Sequence, residues 1–293
     1  MSHHHHHHHD LASERMGWAF FLNLGFTVIE FIGGMLTNST AIMADAIHDL
    51  GDSLSIGLAW VLNKLGNKSA THQLTYGYRR LSLVGALLNA VVLVGGSIWV
   101  LSMAIPRLLD PVMPHTQGML GLAVLGVLVN GFAAYKLSKG KSLNERVLNW
   151  HLLEDVLGWV AVLVVSLILM VVDWPILDPL LSVAFTLFIL INVVRTLRET
   201  LKIFLQGNPD HGMYHRIAES LQAQPEVADV HHLHLWSLDG EHHVCTAHIV
   251  LAHELTSAQQ RDLKHRIADK LAPFELAHTT IEFELPEEPC RDT

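Results

Sequence analysis

Only two cysteines occur in the 293 residues, Cys245 and Cys290. Neither belongs to a Cys-x-x-Cys pair, so a disulfide framework is excluded and no motif of that kind is present. Charge is also scarce. Asp, Glu, Lys and Arg make up 16% of the chain against 50% hydrophobic residues, and mean hydropathy is +0.32. That balance excludes a soluble acidic globule and places most of the chain in a bilayer. Basic residues are the rarer charge, 19 against 28 acidic, for a net charge of −9. Nucleic acid is therefore not expected as a partner, since phosphate would be repelled. No cleavable leader is read either: residues 11–15 are charged, and no small-residue cleavage pattern follows the first apolar run.

What is present is unevenly distributed. Residues 1–207 balance 13 basic against 13 acidic side chains, whereas residues 208–293 carry 6 against 15 and account for the whole −9. Eleven of the 22 histidines also lie in that last stretch. Three parts follow: a His-rich segment 1–15, a membrane domain 16–207 and an acidic, His-rich soluble domain 208–293. The seven histidines after Met1-Ser2 read either as a purification tag or as a native metal-collecting end, and no function is placed on them.

A span needs about 20 mostly apolar residues, and six segments come close: 18–36, 39–65, 81–105, 119–135, 151–172 and 176–194. Lys64, Lys68, Arg79 and Arg80 follow the second, Lys136, Lys139, Lys141 and Arg146 the fourth, and Arg195, Arg198 and Lys202 the sixth. The opposite loops offer only Arg107. The positive-inside rule then puts both termini, and residues 208–293, in the cytoplasm.

Ionisable residues within spans are costly, by several kcal/mol unless paired, hydrated or metal-bound. The second span carries His48 and Asp52, the fifth His151 and Asp155. Each is a His-x-x-x-Asp pair, and four residues along a helix return a side chain to the same face. Two such helices packed together present two imidazoles and two carboxylates to one point, a tetrahedral set suited to Zn²⁺ rather than to Mg²⁺ or Ca²⁺. The plainer reading of a single such pair is a structural hydrogen bond between helices. Two pairs at identical spacing favour metal. Asp45 and Asp49 lie on nearly the same arc and, with Glu154, are candidates for an access path; Asp49 and Glu154 read equally well as facing water at a hydrated mouth. His115, beside Pro114, reads as a solvated loop residue.

In order and spacing, these residues resemble the cation diffusion facilitator family of metal/proton antiporters over about 17–284. The resemblance rests on Ala44-Asp45-Ala46-x-His48-x-x-x-Asp52, Tyr76-Gly77-Tyr78-x-Arg80, Asn89 and Asn130. It continues through Ser142-Leu143-Asn144-x-Arg146, His151-x-x-x-Asp155-x-x-Gly158 and Asp178-Pro179. It implies a homodimer of six-helix protomers in a bacterial inner membrane and a transport site at His48, Asp52, His151 and Asp155. It also implies a cytoplasmic α+β domain of metallochaperone-like (ferredoxin-like) fold. In this family a His at the first position of span two goes with Zn²⁺ and Cd²⁺. One departure is visible: Leu74 stands where some members carry a His before the aromatic-Gly motif, so His72 reads as solvated.

Past Asn208-Pro209 the pattern is that of a small α-β-β-α-β domain. Helices are expected over 211–222 and 257–271, the latter capped by Ser257, and strands over 227–238, 242–251 and 279–285. Alternation puts His232 and His234 on one face of the first strand and His231 on the other. The resemblance places the cytoplasmic metal positions on His231, His248 and Glu284, with His265 and Glu282 as partners for a second ion. His232, His242, His243, His253 and His278 read as surface or interface residues, and Trp236 as core or dimer interface. Two acidic domains facing each other in a dimer repel, and bound divalent ions would draw them together.

Metal ligands must shed protons to bind, so metal and protons compete at one site. The expected function is export of Zn²⁺ or Cd²⁺ in exchange for protons by alternating access, with Zn²⁺ also regulatory. An intramembrane zinc-dependent hydrolase, with Glu154 as base, lacks both an open coordination position and a His-Glu-x-x-His motif. A haem carrier on His48 and His151 fits poorly with carboxylates one turn away. A metal sensor without transport is separated only by flux.

Overall fold

The computed structural model describes residues 6–66, 70–137 and 143–292, with side chains for 17, 18, 20–58, 60, 61, 70–135 and 152–292. The first five residues of the His-rich segment, Lys68, Lys139, Lys141 and Ser142 lie outside the described residues, as do the side chains of His151 and Arg146. The chain divides into two compact units, residues 1–68 with 85–197 and residues 69–84 with 198–293.

The described residues of the first unit form helices joined by short connections: α1 (His6–Thr37), α2 (Thr40–Gly66), α3 (Leu81–Leu109), α4 (Thr116–Leu137), α5 (Leu143–Val171) and α6 (Leu177–Phe204). Five of these are long and apolar enough to cross a membrane; α2 is long enough, but its acids set it apart. Several helices run past the apolar segments seen in the sequence. α5 starts at Leu143 because hydropathy marks the hydrocarbon layer, whereas backbone hydrogen bonding continues through 143–150. Large apolar side chains such as Leu88, Val91, Leu128, Phe132, Leu157 and Ile191 point outward, as a lipid-facing surface requires.

α2 is the helix the others enclose. One apolar cluster joins Ala41 and Ile42 to Met119 and Ala123 of α4 and to Trp159 and Val162 of α5. A second joins Ala44 and Ile47 to Ala90 and Leu93 of α3 and to Ile189 and Val193 of α6. α4 approaches α5 so closely that a Cβ at Gly126 would run into the Trp159 indole, the use of small residues expected where helices lack a hydrophobic driving force.

The polar ends of these helices are satisfied internally. α1 ends in a Schellman motif with Asn38 left-handed (φ 55°), Ser39 N donating to Gly34 O (3.0 Å) and Asn38 N to Met35 O (3.2 Å). Arg107 clamps that turn, its guanidinium donating to Asn38 O (2.7 Å) and Oδ1 (2.5 Å). At the start of α2, buried Asp178 of α6 accepts from two backbone amides and two hydroxyls, while Ser39 Oγ takes the amide of Ile42 (3.2 Å). Its Oδ1 accepts from Ser39 Oγ (2.5 Å) and Ala41 N (3.3 Å), and its Oδ2 from Thr40 N (2.7 Å) and Oγ1 (2.8 Å). Ser182 Oγ donates to Thr40 O (2.9 Å) one turn on. His115, though exposed, is more than a solvated loop residue: its Nδ1 accepts from Gly118 N (3.0 Å) and caps α4.

The second unit contains α7 (His211–Gln222), β1 (Val227–Ser237), β2 (His243–Leu251), α8 (Ser257–Leu271) and β3 (His278–Glu284). The sheet order is β1-β2-β3, with β1 and β2 antiparallel and β2 and β3 parallel. Cys245, Ala247, Ile249 and Leu251 pack with Ile217 and Leu221 of α7 and Leu263 and Ile267 of α8, so both helices cover one sheet face. The α8 cap is Thr256 rather than Ser257: Gln259 N donates to Thr256 Oγ1 (3.4 Å) and Thr256 N to Gln259 Oε1 (2.9 Å), a capping box that needs Gln three residues on.

Asp178→Ala is expected to remove the cap of α2 and to lower stability by about 2–4 kcal/mol, since several buried donors lose their acceptor together. Asp178→Asn should lose less. Thermal unfolding in detergent checks this; an unchanged midpoint for the alanine variant would contradict the capping role.

Candidate metal centres

In the membrane unit, α2 sets His48 and Asp52 one turn apart and α5 brings Asp155 against them. His48 Nε2 lies 3.7 Å from Asp52 Oδ2 and 3.6 Å from Asp155 Oδ1. Ligand atoms of these three residues all fall within 4.8 Å of one another. Tetrahedral bonds of 2.0–2.1 Å separate ligand atoms by about 3.3 Å, so the spacing of these three atoms is close to what three corners of a zinc tetrahedron need. His151 stands one turn before Asp155 on α5; its side chain lies outside the described residues.

Two cavities flank His48. One, of 240 Å³, is lined by Asp45, Glu154, Asp155, Gly158 and Phe185 among others; the second, of 280 Å³, by Asp52, Ser55, Asn89, Asn192 and Thr196. His48 and Glu154 border both. Asp45 and Glu154 are thus found on the cavity walls. Asp49 is not. It is 4% exposed, lines neither cavity and does not face water, because its position on α2 turns it toward α1.

There it meets a residue that sequence reasoning missed. Glu30 of α1 is fully buried and faces Asp49, with Asp45 next. Asn23 and Thr27 continue the same stripe: Asn23 Nδ2 donates to Asp49 O (3.2 Å) and Ser53 Oγ (3.0 Å), and Thr27 Oγ1 to Asn23 O (2.9 Å). The signal was available, since Asn23, Thr27 and Glu30 sit at helical spacing inside an apolar run.

In the second unit, the helix-free sheet face carries a denser cluster. His231 and His248 are register partners across β1 and β2. Glu284 joins them, with His248 Nδ1 2.8 Å from its Oε1 and His231 Nε2 3.0 Å from its Oε2. His231 Nε2 nevertheless finds no hydrogen bond of acceptable direction. Glu282 Oε2 lies 3.8 Å from His248 Nε2 and accepts from Arg291 Nη2 (2.6 Å). His265 is exposed on α8 and enters no metal-competent group among the described residues; His72 is likewise exposed and outside such groups.

His232 is a correction. Strict alternation sent it to the face opposite His231, but β1 bulges between His231 and His234 and His232 adopts a left-handed φ of 47°. Its ring centroid comes to 5.2 Å from those of both His231 and His248. Cys290 was also missed: its Sγ lies 3.6 Å from His248 Nδ1. Desolvation works against it, yet contacts with His248, Cys290 and His231 hold the Glu284 carboxyl below the usual glutamate range. At Cys290 a backbone hydrogen bond with Asp292 pulls the other way, but desolvation and the Glu284 and Asp292 carboxylates leave the thiol raised. Cys245, by contrast, is a core residue pushed up to about 11 by burial.

Compared with known families, residues 18–205 match the cation efflux transmembrane domain and residues 209–285 match the cation efflux protein cytoplasmic domain. The chain belongs to the cation efflux family. Family members are membrane cation transporters rather than enzymes, which removes the hydrolase reading. The chain is similar to the cadmium, cobalt and zinc/H(+)-K(+) antiporter of Bacillus subtilis, at 29% identity over 270 residues covering 91% of this chain and 87% of the relative. The metal cation efflux system protein CzcD of Cupriavidus metallidurans is 31% identical over 269 residues, 90% of this chain and 84% of the relative. The zinc transporter ZitB of Escherichia coli is 31% identical over 286 residues, 96% and 90% respectively. The matched cytoplasmic domain of this cation efflux protein contains His231, His232, His248, Glu282 and Glu284, while Cys290 falls beyond it.

Left-handed backbone at a non-glycine residue costs about 1–3 kcal/mol. His232→Val, β-branched at that position, should therefore destabilise the second unit by about 1–2 kcal/mol beyond His232→Asn, which tolerates positive φ. Thermal unfolding of the two variants compares them directly; equal midpoints would mean that the bulge relaxes.

Proposed function

We propose that this cation efflux protein exports Zn²⁺ or Cd²⁺ from the cytoplasm in exchange for protons, the ion crossing at His48, Asp52, His151 and Asp155. The observation that carries this reading is the convergence of His48, Asp52 and Asp155 in the middle of an enclosed helical bundle. Borderline ions favour mixed nitrogen and oxygen ligands, and the relatives named above bear zinc, cadmium and cobalt in their names. The antiporter name of the Bacillus relative supports proton exchange.

The chemistry follows from competition. Imidazole binds an ion only when its lone pair is free, and a carboxylate only when ionised, so protons arriving from the far side displace the ion. Cavities on either side of His48 give the ion room to approach and leave. Alternating access then couples an inward proton gradient to outward metal movement. The protein works as a homodimer in a bacterial inner membrane, with both termini and residues 208–293 cytoplasmic. The cytoplasmic unit binds regulatory Zn²⁺ at His231, His248 and Glu284, and the ions draw two acidic domains together.

In inverted vesicles, His151→Ala and Asp155→Ala should each reduce Zn²⁺ accumulation by at least the order of 10- to 100-fold, the scale on which even outer metal-site groups act, with the protein still folded. Retained transport by either variant would sink the four-ligand assignment. Distances between probes on the two cytoplasmic units should shorten on adding Zn²⁺; unchanged distances would remove the regulatory role.

A further inference from the structure

The resemblance supplies His231, His248 and Glu284 but says nothing of the C-terminal tail. After β3 the chain turns back on itself. Leu285 N donates to Glu288 Oε2 (2.7 Å) and Glu288 N to Leu285 O (3.1 Å), while Glu287 takes a left-handed φ of 63°. Pro286 at the second position of this turn and Pro289 just after it stiffen it. The returning segment is tied to β3 by Arg291 Nη2, which donates to Glu282 Oε2 (2.6 Å). The effect is to lay Cys290 beside His248 and to set Asp292 Oδ2 3.5 Å from His248 Nε2.

One atom of each of His231, His248, Glu284 and Cys290 lies within 4.8 Å of every other. His248 and Glu284 are buried, at 8% and 5% exposure, and His231 Nε2, 3.0 Å from Glu284 Oε2, borders the same space. The two nitrogens of His248 are differently placed: carboxylates of Glu282 and Asp292 face Nε2, while Nδ1 faces Glu284 and Cys290. Carboxylates behind one nitrogen orient an imidazole for binding through the other.

We propose that Cys290 is a thiolate ligand of the cytoplasmic metal site, closing an N₂OS shell with His231, His248 and Glu284. The tail is thus part of the sensor. A thiolate makes the site softer than the nitrogen and oxygen set in the membrane, so it prefers Cd²⁺ and Zn²⁺ over Mn²⁺ or Co²⁺ and holds Cd²⁺ best. On binding, the Sγ–H bond gives way to an Sγ–metal bond and the proton leaves to water. The proposal rests on the reading of His231, His248 and Glu284 as a metal site, and it adds the ligand that sets its selectivity.

The test uses the full-length protein in detergent, titrated with Co²⁺ and Cd²⁺ and followed by the thiolate-to-metal charge-transfer absorption. Imidazole and carboxylate ligands give no such band, so His3 to His9 and the membrane site do not contribute. The band should appear in the unaltered protein and in Cys245→Ala, and disappear in Cys290→Ser. Cys290→Ser should also weaken Cd²⁺ binding at this site on the order of 10- to 100-fold, and weaken Zn²⁺ binding less. A band that survives Cys290→Ser, or never forms, overturns the proposal. Interprobe distances measured in the same samples separate the two failures. If Zn²⁺ still draws the cytoplasmic units together without a band, the site stands and the thiolate does not; if both responses are missing, the site itself fails.

Discussion

The cost of placing carboxylates in hydrocarbon governs the membrane unit. α2 carries Asp45, Asp49 and Asp52 with His48 in a helix of 27 residues, and each charge costs several kcal/mol if it faces lipid. The bundle answers by enclosing that helix: α1 and α3 to α6 all pack on it or on its neighbours, and apolar side chains of the outer helices take the lipid contact. Enclosure in turn demands that the N-terminal amides of α2 be satisfied without water. Asp178 does this from α6, linking two helices far apart in the chain by one buried carboxylate. The metal site stays registered because its helix has a fixed start.

Within that frame the acids of α2 divide by direction. His48 and Asp52 meet Asp155, Asp45 borders a cavity, and Asp49 turns toward Glu30. Residues four apart share a face, but the face they share is only one of several that a central helix offers. A carboxylate therefore takes its role from its neighbour across the interface. The polar stripe of Asn23, Thr27 and Glu30 makes the α1 interface a second hydrophilic seam beside His48, Asp52 and Asp155.

How much of this was legible follows from range. Spans, their number and the small α+β domain follow from hydropathy and alternation, which are local. The His48/Asp52 pair was legible because helical spacing is local too, and Asp155 does meet it; the side chain of His151 lies outside the described residues. His232 was misplaced because a bulge inserts one residue and reverses the alternation after it. Nothing in Val230-His231-His232-Leu233 announces a bulge. Cys290 was passed over because its partner lies 42 residues away and is reached only through the turn at Pro286–Glu288. Asp178 was visible as an Asp-Pro pair opening a helix, which describes its own helix and conceals the one it caps.

The two metal-competent groups face opposite demands. A site that carries cargo must release the ion to competing protons on every cycle, so it gains from hard, exchangeable carboxylates and from cavities that admit water. A site that senses the ion must hold it long enough to bias the distance between two domains, and a population shift is only as large as the difference in affinity between the two states. On the proposed reading, a softer ligand set increases that difference, and the tail that carries Cys290 is already held beside His248 by the Arg291–Glu282 pair. The sheet face opposite α7 and α8 suits the proposed role, since it is backed by an apolar core that fixes the positions of His231, His248 and Glu284. Charge then supplies the direction. With 15 acidic against 6 basic residues in 208–293, the proposed switch would work by charge: two such domains repel, and cations bound at the proposed site would cancel part of that charge and let them approach.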